Sequence, residues 1–319
     1  MLKKLSCALL ALAGLTTGAA LAQPYPNHPI RLVVPYAPGQ GADVVARRMA
    51  AAVATILPQP LVIENRAGAG GNIGSDLVAK AKPDGYTIVL GTTATHGANQ
   101  FLYDKMPYDA ATDFTPIVAL VSYGMILAVP ANSPYKTLAD LVAQARQKPK
   151  SLESALPSTT SRLVLETLRT AASVDILPVP YVGTPAALVD TASGRVATLI
   201  DTSSALLGQI KSGALRPLAM ATEKRMDAYP NVATFREQGY EVIVPPANGF
   251  FGPKGFPAEA VRMINATVNK AFSSREIIDA FVADGAQPIG GTPDDLDRIM
   301  KAERAKWEPL VKATGLRAQ

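Results

Sequence analysis

The sequence predicts an α/β protein of two domains, each a mostly parallel sheet flanked by helices, and three observations carry that expectation. From Ile30 onward, short β-branched or apolar runs alternate with helix-period runs across brief breaks, the pattern of right-handed βαβ crossovers. The apolar run 117–129 breaks at Ser122-Tyr123-Gly124, which reads as the chain crossing into a second unit rather than as one strand. Proline and glycine crowd again at Val244-Pro245-Pro246-Ala247-Asn248-Gly249-Phe250-Phe251-Gly252-Pro253, which reads as the return crossing.

Taken in order, Ile30 to Val34 is a buried strand, and the spacing Asp43-Val44-Val45-Ala46-Arg47 opens a helix over 43–56. Leu61-Val62-Ile63-Glu64 is the second strand, followed by a Gly-rich turn and a helix at 72–81; Tyr86-Thr87-Ile88-Val89-Leu90 is the third strand. Beyond the first crossing the pattern predicts helix 137–147, a Ser/Thr-rich turn at 154–161, helix 161–172, strand 176–179 and helix 184–192. Strand 196–200, helix 203–211 and strand 216–221 complete that unit. Two closing helices follow, about 258–272 and 293–313, the latter with Leu296, Ile299, Met300, Trp307, Leu310 and Val311 on one face. The domains are therefore expected at 23–123 plus 247–319 and at 124–246, with a cleft between them.

Residues 1–22 read as a secretory signal peptide: Lys3 and Lys4, an apolar middle from Leu5 to Leu15, and the small-x-small end Ala20-Leu21-Ala22. The stretch 13–20 is too weakly apolar for a good membrane span, so no direct membrane anchor is expected. Cleavage would remove Cys7, the single cysteine, leaving neither disulfides nor thiolate chemistry to the mature chain. It would also bring the formal charge from +5 to +3, with no dense basic run, which argues against nucleic acid. A mild positive bias in an exported protein suits an anionic small molecule, and a solvated surface accounts for it equally.

Ligands of parallel α/β sheets sit at the carboxyl ends of the strands, which brings the 35–43 and 91–99 loops together. Tyr36-Ala37-Pro38-Gly39-Gln40-Gly41-Ala42-Asp43 joins the first strand to the first helix, whose opening N–H groups lack intrahelical partners. This is half of an anion-binding cleft or an ordinary strand–turn–helix. Ser158-Thr159-Thr160-Ser161-Arg162 offers hydroxyls, a helix start and a bidentate cation, or else a capping Ser161 beside an exposed arginine. Val179-Pro180-Tyr181-Val182-Gly183-Thr184-Pro185 is a further strand-to-helix turn, with Thr184 as cap and Pro185 as the first helical position.

The Gly-rich Ala67-Gly68-Ala69-Gly70-Gly71-Asn72-Ile73-Gly74 misses the dinucleotide spacing, since the third glycine falls at Gly74 rather than at Ile73, and reads as a helix start packed on the sheet. No cofactor and no metal is expected: His28 and His96 are the only histidines, and no Gly-x-Ser-x-Gly elbow occurs. His96, just past a strand end, is a cleft residue or, in an exported hydrolase, a base. Asp43 and Asp201 are helix caps or an acid–base pair.

Together these segments resemble the Bug family of periplasmic solute receptors, the binding components of tripartite tricarboxylate transporters. The matching residues are Tyr25-Pro26, Pro29 to Gly39, Glu64 to Gly74, Lys82-Pro83-Asp84-Gly85-Tyr86-Thr87, Met106-Pro107-Tyr108-Asp109, Asp113-Phe114-Thr115-Pro116, Val179-Pro180-Tyr181 with Gly183, and Gly213 to Ala219. The resemblance implies a type II periplasmic-binding-protein fold (a Venus flytrap). It further implies a non-enzymatic periplasmic receptor for a small organic acid, partnered by the transporter's membrane components or, alternatively, by a sensor. It also implies a ligand-binding set of Tyr36, Ala37, Pro38, Gly39, Gln40, Gly41 and Asp43, then Thr92, Thr93 and His96, with Tyr181, Gly183 and Asp201 opposite; Ser158, Thr159, Ser161 and Arg162 join it from the residues themselves. One departure falls on the cleft: Leu156, Ser158 and Arg162 stand where the family pattern Ser-x-Gly-x-Gly-x-x-x-His has both glycines and the histidine. Ala247 stands where a tryptophan is usual.

Overall fold

The computed structural model describes residues 25–317; the signal-peptide expectation lies outside the described residues. Strand β1 (Ile30–Val34) is buried almost throughout and pairs in parallel with β2 (Leu61–Asn65) and β3 (Thr87–Thr92). Between them, helix α1 (Gly41–Val53) buries Val45, Ala46, Met49 and Val53 against the sheet, the stripe expected of a core-facing helix. Helix α2 (Asn72–Ala79) follows β2. A π-turn over Ala94–Ala98 and the short α3 (Asn99–Leu102) follow β3.

The broken apolar run becomes two strands, β4 (Phe114–Tyr123) and β5 (Met125–Pro130), with Gly124 between them. β4 belongs to the six-stranded first sheet and β5 to a five-stranded second sheet, so the chain changes lobes at this glycine. The second lobe continues with α4 (Leu138–Gln147), β6 (Glu153–Leu156), α5 (Thr159–Ala172), β7 (Leu177–Pro180) and α6 (Thr184–Ala192). It ends with β8 (Thr198–Thr202), α7 (Ser203–Lys211) and β9 (Leu215–Met220). The Pro/Gly-rich return is β10 (Ala247–Pro253), which inserts between β3 and β4. There Asn248 faces Thr92, and Ala247 faces Ser122. The chain finishes in α8 (Ala258–Ala271), α9 (Arg275–Ala283), β11 (Ala286–Gly290) and α10 (Pro293–Thr314).

Both sheets are mixed rather than mostly parallel. The βαβ halves pair in parallel, but the strands adjoining the crossings do not: β10 is antiparallel to β3 and β4, β11 to β4, and β5 to β8 and β9. β10 re-enters the first sheet at the end by which β4 left it, with Ala247 beside Ser122, so the two must run in opposite directions. The two crossings lie side by side, tied by Tyr123 N–H donating to Pro246 O at 3.0 Å and Val244 N–H to Ala221 O at 2.9 Å. The turn expected at 154–161 is occupied in part by β6, and α9 with edge strand β11 was not anticipated.

Candidate functional site

The turn after β1 holds itself in shape. Gln40 is the extended N-cap of α1, yet its side chain caps nothing; its Oε1 accepts from Ala37 N–H at 2.8 Å. Its Nε2 reaches into the other lobe and donates to Pro157 O at 3.1 Å. Asp43 is buried and turned back on the loop, accepting from Gly39 N–H (2.9 Å), Arg47 Nε (2.9 Å) and Asn65 Nδ2 (2.8 Å). Burial pushes its carboxyl up, but the Arg47 guanidinium, the Gly39 N–H and the Asn65 amide outweigh that and hold it below the usual range. The first N–H groups of α1, at Gly41 and Ala42, are left without an intrahelical or side-chain acceptor, and both residues line the cleft. Beside them the Tyr36 and Thr92 hydroxyls hydrogen-bond at 2.8 Å, and burial pushes the Tyr36 phenol up to about 12, so it stays neutral.

The second lobe presents two capped helix starts, α5 and α7, and one, α6 at Gly183, without a side-chain cap. Ser158 Oγ accepts from Ser161 N–H at 3.1 Å and Thr202 Oγ1 from Ala205 N–H at 3.3 Å. Asp201, at the end of β8, accepts from Thr184 Oγ1 (2.6 Å) and Thr202 N–H (2.7 Å). Burial nonetheless lifts its carboxyl to about 6, because these hydrogen bonds only partly replace water. Arg162 Nε lies 2.7 Å from Glu166 Oε1, off the hydrogen-bonding direction, and Glu166 is shared with Arg169 at 3.0 Å.

The lobes meet across the cleft. A Cβ on Gly41 would lie 3.0 Å from Thr202 Cβ, one on Gly183 3.2 Å from Ala37 Cβ, and one on Gly70 2.8 Å from Thr159 Oγ1. They enclose a cavity of about 490 Å³ and, toward the crossings, a smaller one of about 40 Å³. Of the predicted residues, Tyr36, Gln40, Ser158, Thr159, Arg162 and Tyr181 line the larger cavity. Gly41, Thr92 and Asp201 line the smaller, shared with Tyr36, Gln40 and Ser158.

The other eight predicted residues line neither cavity. Asp43, Gly39 and Ala37 spend their polar groups on the loop itself, and Pro38 lies in its turn. Gly183 packs against Ala37 at the lip; Thr93 N–H donates to Ala247 O at 3.0 Å; Ser161 is buried under Ser158, with their hydroxyls 2.8 Å apart. His96 is the plainest correction: it is fully buried, stacked on Phe251 at 4.1 Å and beside Phe114 at 4.5 Å, with Nδ1 2.9 Å from Thr95 Oγ1. Burial, then Arg304, holds it down at about 3, so it is a neutral core residue. The hydrolase alternative loses its base.

Several lining residues carried no sequence signal of their own. The 67–71 loop, read as packing, forms a wall at the carboxyl end of β2, where the same strand-end rule applied to β1 and β3 would have placed it. Tyr103, Leu316 and Arg317 arrive from segments with no motif.

Two mixed-sheet α/β lobes, joined by paired crossings and closed over a cavity lined by helix starts, define the class of two-lobed binding proteins. Structures of that class superpose over nearly the whole chain. The R. palustris protein Rpa4515 with adipate matches with a TM-score of 0.89 and 36% identity, covering 92% of this chain and 99% of that one. MatC from Rhodopseudomonas palustris with bound malate matches with a TM-score of 0.84 and 31% identity, covering 90% and 100%. Protein BugT of Bordetella pertussis is 35% identical over 96% of this chain and 97% of its own length. The model of the tripartite tricarboxylate transporter family receptor matches residues 45–316, and the chain belongs to that family.

Proposed function

We propose that this chain is a periplasmic receptor. It captures a small carboxylate-bearing solute between its lobes and delivers it to the membrane components of a tripartite tricarboxylate transporter. The domains are 23–123 plus 247–319 and 124–246, and closure is a hinge motion about the crossings near 122–125 and 245–249. One observation carries the reading: the start of α1, where Gln40 caps nothing, faces the start of α5 across a cavity whose lining includes Arg162 and Arg317 and, among the described residues, no aspartate or glutamate, and this cavity adjoins the smaller one, where Gly41 and Ala42 lie with Asp201. An anion there supplies the acceptor that the α1 tip lacks. The binding of adipate by one relative and malate by another supports it.

A charge-assisted hydrogen bond contributes about 1.5–3 kcal/mol, so three or four donors from facing helix starts account for the roughly 8 kcal/mol of micromolar binding. A thermal-shift screen against mono-, di- and tricarboxylates, amino acids and nicotinate tests the proposal. At a hundredfold excess over Kd, a ligand adds about 2.7 kcal/mol, raising Tm by about 5 °C. A flat response to every acid in the screen would overturn it.

A further inference from the structure

We infer that the carboxyl-terminal tail, residues 315–317, is a working wall of the solute cavity, and that Arg317 acts with Arg162 to select solutes carrying a second acidic group. This rests on the reading that the cleft takes a carboxylate. The geometry begins with α10, which belongs to both lobes. Its first half buries Leu296 and Met300 with Val33, Val89 and Phe251 of the first sheet. Its second half buries Trp307 and Val311 in the cluster that holds Leu127 and Val129 of the second sheet. Lys306 Nζ fastens it to the return crossing by donating to Ile243 O at 2.8 Å.

Gly315, at φ +61°, then turns the chain off the helix axis, a conformation that costs other residues more. The turn seats Leu316, 6% exposed, in the same cluster and brings both Leu316 and Arg317 to the cavity wall. Arg317 is weakly engaged: its Nε is 3.5 Å from Asp104, which is 88% exposed, and its Nη1 is 3.5 Å from Phe101 O. Solvent-exposed pairs of this length contribute little. Arg162 lines the same cavity from α5 and shares its single carboxylate partner, Glu166, with Arg169. Two arginines from different elements thus line one cavity whose wall includes Leu102, Leu156 and Tyr181. A volume of about 490 Å³ exceeds what a three- or four-carbon acid fills. The matching occupant spans the two adjoining cavities: one carboxylate in the smaller at Gly41 and Ala42, an apolar spacer past Tyr36, Gln40 and Ser158, which line both, and a second acidic group at the arginines, where the planar guanidinium favours bidentate contact.

Calorimetric titration of the purified protein with hexanedioate and hexanoate tests this. The wild type is expected to bind hexanedioate more tightly. Arg317→Gln and Arg162→Gln should each weaken hexanedioate by about tenfold, a loss several times the one each causes for hexanoate, and Arg317→Lys should recover part of the loss. Equal losses for both acids, or an unchanged hexanedioate affinity in Arg317→Gln, would overturn the inference and leave the proposed function standing. A wild type that binds neither these acids nor any other carboxylate overturns both.

Discussion

The lobes bring helix starts to the cleft that are built in opposite ways. In the first lobe α1 has no side-chain cap: Gln40 is drawn to Ala37 and across to Pro157, and the first-turn acid Asp43 braces the loop instead. In the second lobe α5 and α7 are capped by Ser158 and Thr202, and only α6, at the lip, starts from a glycine without a side-chain cap. Capping satisfies a helix's orphan donors within the chain, and leaving them uncapped keeps them for a ligand. The difference assigns the lobes separate tasks: α1 offers backbone N–H groups on a braced loop, while the second lobe offers hydroxyls and Arg162.

The largest way to break this arrangement is at the contact between the two kinds of tip. Gly41→Val places a branched side chain where Thr202 already sits, so the lobes must stand apart. Carboxylate affinity should fall about a hundredfold, equivalent to about 2.7 kcal/mol, with a larger radius of gyration in solution scattering at saturating ligand. Wild-type affinity in that variant would show that the α1 tip and Thr202 need not meet. Next in size, Asp43→Ala strips acceptors from Gly39, Asn65 and Arg47 at once and should cost about 2 kcal/mol in urea unfolding, against about 1 kcal/mol for the cap removal Ser158→Ala. Equal costs would erase the distinction between a braced tip and a capped one.

The smallest effect sharpens the second lobe's part. Asp201 titrates at about 6 in the folded protein, above its unfolded value near 3.8, so the folded chain holds the proton longer. Its contribution is therefore most favourable below about pH 4 and is lost as pH rises through 6. Melting temperatures from pH 4 to 7.5 should carry a downward slope that Asp201→Asn removes; an unchanged slope would place the titration elsewhere.

Much of this organisation could be read in the chain. Helices 184–192 and 203–211 appear in full as α6 and α7, because an early Pro185 and the Thr202 cap are local chemistry; Thr184, expected to cap α6, instead donates its hydroxyl to Asp201, and Gly183 stands at the N-cap without a side-chain bond. The crossing at Ser122-Tyr123-Gly124 was visible because an apolar run interrupted by glycine cannot continue one strand through two cores. By contrast β6, only Glu153–Leu156, is a strand through its pairing with β7 and β8, and β11, carrying Pro288, through its edge position beside β4. Strand propensity does not report a partner that lies far along the chain.

The site divides along the same line. Tyr36, Gln40, Gly41, Ser158 and Arg162 line the two cavities because strand-to-helix turns are written locally and strand ends collect at one edge. His96 looked identical by position and is core, because the π-turn folds its ring back onto Phe251 and Phe114. Sequence alone determined the α/β class, the two crossings and the helix starts, all of which depend on residues within a few positions of one another. Tertiary structure decided which side chains face the cavity and which face the core. It also carried the tail at Leu316 and Arg317 to the cleft, since those outcomes depend on how α10 packs against both sheets.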